Sequence, residues 1–463
     1  MRQPKELFSN IDWPLLIGMF ALMGVGILTV YSVAYNPEHP LLFDTSQKYG
    51  KQLLWIGVSL FLGFLILLID ADIYRKFTEY IYIATIVLLI IVLFMPPVHG
   101  ARAWLGFGGL GIQPAEFAKI STALMLAKWI DDTNIKLQNT RTISETLGIV
   151  FLPCILVALQ PDAGTLLVFT SFFFVLYREG ISFDPLVFSV LRYFPRVKLK
   201  TTWLGTHFIP FFFFLMVLSI LSLFLSTSIY YPFGISLSGP LFLILLITLL
   251  GLLFFGFISF FGYPRNKTKN LVVLVSSYLF SVFLISSITF FFNNLAAPHQ
   301  KSRIELVLGL KEDPNGADYN RNRAMAAVGS GKFMGKGYRK ASVSSMRTNH
   351  VPESETDFIF CPFAEEWGFV GNLMLIAIYL FVIFRVFSIA ERQRSVFFRV
   401  YAYSVGMVFF YHFAINIGMN IGLAPVIGIP LPFLSYGGSS MMAFSIMLFV
   451  LLKLDSQRRD VLR

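Results

Sequence analysis

Residues Ile11–Tyr35 read IDWPLLIGMFALMGVGILTVYSVAY, an apolar run whose one ionisable residue is Asp12. A helix rises about 1.5 Å per residue, so about 20 apolar residues cross a hydrocarbon core of about 30 Å. This run is long enough to do so. It exceeds the apolar core of a signal peptide and lacks a small-residue cleavage site, so it is expected to remain as a membrane anchor. The pattern then recurs along the chain, with spans expected to start near Ile11, Gln52, Glu79, Ala115, Thr146, Ala163, Gly205, Ser238, Asn270, Glu366, Phe398 and Pro432. Composition agrees: 56% of the 463 residues are hydrophobic and 14% charged, and mean hydropathy is +0.70, against roughly 25% charged residues in soluble domains. The expected fold is an all-α polytopic membrane bundle of about twelve transmembrane helices.

Charge sets the orientation. The net charge of +11 could point to nucleic acid, but the Lys and Arg residues fall in short clusters between apolar runs rather than along one polar face. Short cytoplasmic loops are enriched in Lys and Arg. Placing the basic first residues inside puts Arg192, Arg196, Lys198 and Lys200 inside, together with Arg265, Lys267 and Lys269, and with Arg392, Arg394 and Arg399. The tail residues Lys453, Arg458, Arg459 and Arg463 follow, so both termini are expected to be cytoplasmic. The external connections Thr227–Leu237 and Gly422–Leu431 carry no basic residue. Cys154 and Cys361 make neither a disulfide framework nor a metal-binding spacing.

One connection, Asn294–Ala364, is far longer than the rest and lies on the external side by this parity. Long loops of this kind tend to carry function. It holds ten Lys or Arg against seven Asp or Glu, a surplus that suits an anionic ligand. Ionisable residues that a bilayer should exclude fall on the same side. Glu116 and Lys119, three residues apart, share a helix face and can pair. Asp162 begins one expected span, Glu365 and Glu366 another, and Pro425, Gly428, Pro430 and Pro432 break the chain before the last. This clustering points to a site reached from the outer leaflet or the external water. Plainer roles stand beside it. Acids at a helix start complement the helix dipole by about 0.3–1 kcal/mol, and Lys119 could snorkel to the interface. His412 reads as an interhelical hydrogen bonder. Phe211–Phe214 and Phe290–Phe292 read as lipid-facing or packing residues, and Gly335-Lys336-Gly337 is too short for a phosphate loop.

Several ordered motifs resemble the SEDS (RodA/FtsW) family. Gln113-Pro114-Ala115-Glu116-Phe117-Ala118-Lys119 is similar to QPSEFAK, and Gln160-Pro161-Asp162-Ala163-Gly164-Thr165 to QPDLGT. Asp313-Pro314-Asn315-Gly316 resembles DPxG, and Gly329-Ser330-Gly331 with Gly335-Lys336-Gly337 resembles GSGGLxGKG. Pro352-Glu353, then Thr356-Asp357-Phe358-Ile359-Phe360 and Ala364-Glu365-Glu366-Trp367-Gly368, resemble PExHTDFIF and AEExG. Gly428 to Ser440 is close to GxPLPFxSYGGSS and contains Ser435. The chain departs from the pattern at Asp318, at Arg323-Ala324, and at Glu355, where relatives usually have His. A segment between Arg178 and Lys301 reads as an inserted pair of spans added to a family core of about ten.

The resemblance implies a peptidoglycan glycosyltransferase that joins lipid II units at the outer face of the bacterial cytoplasmic membrane, releasing undecaprenyl pyrophosphate with inversion. It implies Asp313 as general base, since a carboxylate within reach of the acceptor hydroxyl typically contributes about 100- to 10,000-fold. By sequence alone Asp318 and Asp357 stand equally open. Lys119 and Arg102 are expected to offset the leaving pyrophosphate, with Glu116, Asp162, Glu366 and Ser435 in support. A divalent cation, magnesium or manganese, is left open. Expected partners are a class B penicillin-binding protein, other membrane proteins of the elongation complex, lipid II and membrane lipid, with no nucleic acid. The Gly-Ser-Gly and Ala-Glu-Glu-Trp-Gly wording sides with elongation over division. The other classes considered are a lipid II flippase or secondary transporter and a noncatalytic scaffold. The chain divides accordingly into core spans at 1–177, a basic internal loop with the insertion at 178–293, the external loop at 294–364, and the last spans and tail at 365–463.

Overall fold

The computed structural model describes residues 10–39, 41–97, 102–106, 111–132, 140–181, 207–224, 238–261, 264–295, 319–344 and 351–458. Among them the fold is helical, with one isolated bridge between Leu105 and Ile112. In chain order the helices are α1 (Trp13–Ala34), α2 (Lys48–Leu68), α3 (Ala71–Val92), α4 (Pro114–Asp132), α5 (Thr140–Leu159), α6 (Ala163–Phe169) and α7 (Ser171–Arg178). They continue as α8 (Phe208–Phe224), α9 (Gly239–Phe261), α10 (Pro264–Phe290), α11 (Tyr319–Ser330), α12 (Phe360–Arg392), α13 (Val396–Asn420) and α14 (Gly438–Ser456). Eight helical stretches among the described residues are long and apolar enough to cross a membrane: α1, α2, α9, α12, α13, α14, Arg141–Leu159 and Asn270–Asn294. Ala163–Arg178 and Ile209–Ile220 are shorter apolar helices.

The expected spans all have a helix, and the shifted boundaries have physical causes. The third starts at Ala71 rather than Glu79, because its charged first turns are neutralised: Arg75 pairs with Asp131 and Asp132 at 2.8 and 2.7 Å, and Glu79 with Lys128 at 2.8 Å. The last starts at Gly438 rather than Pro432, because the intervening residues form a turn in which Phe433 has φ +64°. Glu365 and Glu366 lie inside the first turns of α12 instead of opening it. That helix breaks behind them at Gly368, where φ is +63°.

The chain forms two compact units. The first comprises 1–135, 145–175 and 319–463. There α14 packs on α2, α12 on α13 and α1, and α4 on α3 and α13. Small residues bring backbones together, as expected where lipid supplies no hydrophobic drive between helices. A Cβ on Gly26 of α1 would come within 2.6 Å of the Phe433 carbonyl. At one end of this unit Asp12 caps α1 by accepting from Leu15 N at 3.2 Å. It also takes Arg385 Nε at 3.0 Å and Arg392 Nη2 at 2.8 Å from α12. Arg392 Nε reaches Asp455 of α14 at 3.0 Å, and Arg458 joins Asp455 at 3.0 Å. The second unit, 136–144 and 176–318, contains α8–α10. Its α9 exposes Leu252, Leu253, Phe257 and Phe260, a surface suited only to lipid or apolar protein.

Candidate functional site

The motif residues of the first unit gather at the end away from the Asp12 cluster. Pro114 starts α4 with its fixed φ and missing N–H, which suits a first helical position. Just before it, Gln113 N donates to Ser439 Oγ at 3.0 Å, and Ser439 Oγ donates to the Gly111 carbonyl at 3.1 Å. The start of α4 is thereby tied to the start of α14. Gln113 Nε2 donates to Asp162 Oδ2 at 2.8 Å. Asp162 caps α6, its Oδ1 accepting from Thr165 N at 2.9 Å and its Oδ2 from Thr165 Oγ1 at 2.8 Å. This side-chain cap satisfies one of the free N–H groups of the helix start. A Cβ on Gly164 would lie 2.9 Å from the Ile427 carbonyl, so the 427–429 segment runs directly over this cap.

Lys119 lies deeper. Its side chain and that of Glu116 are buried and paired at 2.8 Å. Lys119 Nζ also sits 2.8 Å from His412 Nε2 and over the Phe444 ring. His412 Nδ1 is 3.0 Å from the Pro430 carbonyl, which can only accept. Nδ1 therefore carries the proton, and neutral Nε2 accepts from the ammonium. The Lys119 charge is used inside the protein, paired with Glu116 as the spacing led one to expect and joining α4 to α13. Arg102 is exposed and donates to the Leu93 carbonyl at 3.1 Å.

His412, Asn416 and Asn420 repeat at a spacing of four, so they form one buried polar stripe on α13. Asn416 Nδ2 donates to the Ile429 carbonyl at 2.6 Å and the Asp357 carbonyl at 2.8 Å. The stripe thus fixes both motif turns at once. Ser435 joins them directly, donating to the Thr356 carbonyl at 2.7 Å and accepting from Leu431 N at 2.8 Å. Both bonds are structural, so Ser435 shapes the site. Glu355, standing where relatives usually have His, is buried and pairs with Lys48 at the start of α2.

The two acids of α12 hold a strap. Glu365 accepts from Lys336 Nζ at 2.6 Å, Ser342 N at 2.8 Å, Val343 N at 3.0 Å, Ser344 N at 2.9 Å and Ser344 Oγ at 2.6 Å. Glu366 accepts from Arg339 N at 3.0 Å and from Ser32 Oγ of α1. The Arg339 guanidinium stacks 3.6 Å from the Tyr35 ring. Gly335 and Gly368 meet backbone to backbone, both in the left-handed region, with no room for a Cβ on either. The Gly335-Lys336-Gly337 segment is therefore a docking strap. Asp313 and Asp318 lie outside the described residues.

A family model for a cell cycle protein, the FtsW, RodA and SpoVE group, matches residues 13–204 and 243–460. The chain belongs to the FtsW/RodA/SpoVE family. Among its relatives is the peptidoglycan glycosyltransferase RodA of Treponema pallidum, 29% identical over 458 residues, covering 97% of this chain and 98% of the relative. The peptidoglycan glycosyltransferase MrdB of Escherichia coli K12 is also 29% identical over 458 residues, with 97% and 95% covered. Stage V sporulation protein E of Bacillus subtilis is 27% identical over 457 residues, with 97% and 98% covered. In structure the chain is similar to one from a peptidoglycan synthase complex described as coordinating polymerization and crosslinking. That match has TM-score 0.66 and 22% identity, and covers 97% of this chain and 99% of that one. It is also similar to the crystal structure of Thermus thermophilus rod shape determining protein RodA, with TM-score 0.53, 20% identity, and 97% and 98% covered. Both matches establish the membrane fold of the family.

The described residues contain no group of three His, Cys, Asp or Glu placed to hold a divalent cation. Both Asp162 oxygens are occupied by Thr165 and Gln113, and Glu116 holds Lys119. Sequence reasoning passed over Gln113, Lys48 and the hub role of Glu365. It named His412 only as a hydrogen bonder, although a polar residue every fourth position in an apolar span was a readable signal. It also left Asp357 undistinguished from other acids. Burial and the nearby carboxylates of Glu353, Asp162 and Glu355 push Asp357 up to about 7.

Proposed function

We propose that this chain is a peptidoglycan glycosyltransferase that polymerises lipid II into glycan strands, serving elongation and cell shape. The observation that carries this reading is the convergence of the family motifs, from Gln113, Asp162, the 353–359 turn, Glu365 and Ser435, on one end of the first unit. The names of the relatives RodA and MrdB support it. In the reaction the 4-hydroxyl oxygen of the acceptor GlcNAc bonds to the anomeric carbon of the donor MurNAc. The bond from that carbon to pyrophosphate breaks, its electron pair leaves with undecaprenyl pyrophosphate, and the hydroxyl proton passes to a carboxylate. Direct displacement inverts an alpha-linked donor into a beta-linked glycan. By the motif resemblance Asp313 is that base.

The described residues act by holding the motif turns in register. Asn416 and Ser435 lock the 353–359 and 427–435 segments together, and Lys119 with His412 anchors Pro430 from below. Preorganisation of this kind is worth much in catalysis, since small misplacements of reacting groups cost large factors in rate. Of the two expected cations, Lys119 is held by Glu116 and His412, and Arg102 keeps an exposed guanidinium. With both termini cytoplasmic, as loop charge directs, the motif end faces outward. A class B penicillin-binding protein is the partner that would crosslink the strand, in keeping with the synthase complex among the structural neighbours.

The test is polymerisation of purified lipid II by the chain in liposomes, alone and with a transpeptidase-inactive partner. Glycan ladders from the wild type that vanish in a folded Asp313→Ala variant are the expected result. Ladders unchanged in the variant would keep the enzyme and reject its base. No glycan under any partner or cation condition, with lipid II crossing the bilayer, would replace the polymerase with a transporter.

A further inference from the structure

Asp357 stands apart from the other acids at the motif end. Glu355 is paired with Lys48, Asp162 with Gln113 and Thr165, Glu365 with the strap, and Glu366 through Oε1 with Ser32 and Arg339, its buried Oε2 having no hydrogen-bond partner. Exposed Glu353 accepts from Thr356 Oγ1 at 3.0 Å. The Asp357 carboxylate has no hydrogen bond or ion pair to any described residue, although its own backbone is held firmly by Asn416. Its Oδ2 lies 3.2 Å from the place a Cβ would take on Gly428, whose φ is +74°. Any larger residue at 428 would press on this carboxylate. A partly exposed carboxylate without a protein partner keeps its acceptor capacity free, and its place beside the α6 cap suits a ligand that supplies hydrogen-bond donors. Lipid-linked amino sugars offer several hydroxyl and amide donors, and a carboxylate is acceptor-only when ionised.

Resting on the polymerase reading above, we propose that Asp357 is a sugar-binding carboxylate of this site, accepting hydrogen bonds from hydroxyl groups of a lipid-linked amino sugar that lies against Gly428 and the Asp162 cap. Its role is positioning the substrate, separate from the base that takes the acceptor proton. The groups around it determine its titration. On its own segment are Glu353 and Glu355, the latter neutralised by Lys48 of α2. At the α6 cap is Asp162. From α13 come the neutral Asn416 and Asn420, and the 427–429 segment contributes no charge. The α11 helix, which packs on neighbouring Phe358 through Ala324 and Ala327, carries Arg321 and Arg323, the latter stacked 3.7 Å from Tyr319. Burial first, and then the neighbouring carboxylates with Glu353 foremost, raise Asp357 to about 7. The acceptor form is therefore lost as pH falls through that value, and sugar binding weakens with it.

The experiment measures binding of lipid II, labelled on its stem peptide, to the purified full chain in detergent between pH 5.5 and 8.5. Wild type is expected to bind roughly tenfold more weakly at the acid end, because one charge-assisted hydrogen bond of typical strength is lost. Asp357→Asn should bind about tenfold more weakly at pH 8 and show a flat profile. Glu353→Gln removes a neighbouring charge and should move the wild-type transition to lower pH. In polymerisation, Asp357→Asn should raise KM with kcat nearly kept, the mark of lost ground-state binding. Wild-type affinity and pH profile in Asp357→Asn would overturn the assignment, as would a fall in kcat at constant KM. Failure of wild type to make glycan while it binds lipid II in this pH-dependent way would reject the polymerase reading and leave Asp357 as a sugar ligand.

Discussion

Replacing Glu365 by Gln keeps the size of the side chain and removes its charge, which makes it a direct probe of the strap. The Glu365 side chain is completely buried and accepts from Lys336, Ser342, Val343 and Ser344. The amide can keep its oxygen on one side only. With the oxygen left facing Lys336, Ser342 and Val343, the new NH2 group faces Ser344 N, and one buried backbone N–H loses its acceptor. That loss costs about 1–3 kcal/mol, and weakening the charge-assisted bond to Lys336 adds about 1 kcal/mol. A sum of about 3 kcal/mol corresponds to roughly a hundredfold rise in strap opening. Hydrogen exchange of the Ser342–Ser344 amides in detergent reads this directly, and amides in the centre of α13 should exchange as in wild type. Protection at Ser342–Ser344 within threefold of wild type would refute the idea that this one carboxylate holds the strap.

Three further outcomes follow from the same geometry. His412→Ala should lower stability by about 2–4 kcal/mol, measured by melting in detergent, because Lys119 and the Pro430 carbonyl both lose a buried partner. Gly428→Ala adds a Cβ at a left-handed position and 3.2 Å from Asp357 Oδ2, so stability should fall by about 1–2 kcal/mol and polymerisation about tenfold. Burial works to raise Asp12, but its bonds to Arg385 and Arg392 outweigh that and hold it below the ordinary carboxylate value. A lowered folded value means stability present above the unfolded value of about 3.9 and lost as pH falls through the folded one. Melting temperature should therefore hold between neutral pH and about 5 and drop below about 4. In Asp12→Asn it should start lower and drop less.

Legibility in the sequence followed the range of the physics. Spans such as Trp13–Ala34 and Gly239–Phe261 were readable because apolar length is a local property. The pairing of Glu116 with Lys119 was readable for the same reason, three residues being one helical turn. Loop parity placed Asp162, Glu366 and the 428–440 motif on one side, and the contacts through Gln113, Gly164 and Ser32 agree with that grouping. What escaped was long-range. The second partner of Lys119, His412, lies 293 positions away. Glu355 looked like a loss of the family His, and only the fold supplies Lys48 from 307 positions away. The start of α3 was misjudged because charges that appear isolated in the sequence are cancelled by Asp131 and Asp132 from α4.

The α12 helix is pinned at Arg392 by two carboxylates and broken at Gly368, which divides it into two unequal arms. The long arm is anchored in the salt-bridged knot with α1 and α14. The short arm, Phe360 to Trp367, carries Glu365 and Glu366 side by side, one gripping the strap and the other gripping α1 through Ser32. The strap also bridges the break, its Lys336 and Gly337 N–H groups donating to the Glu365 and Glu366 carbonyls before Gly368 and its Lys332 and Phe333 carbonyls accepting from Phe369 and Val370 after it. Strap and α1 are thus seated on the same short piece of helix, and the strap splints the glycine that divides it.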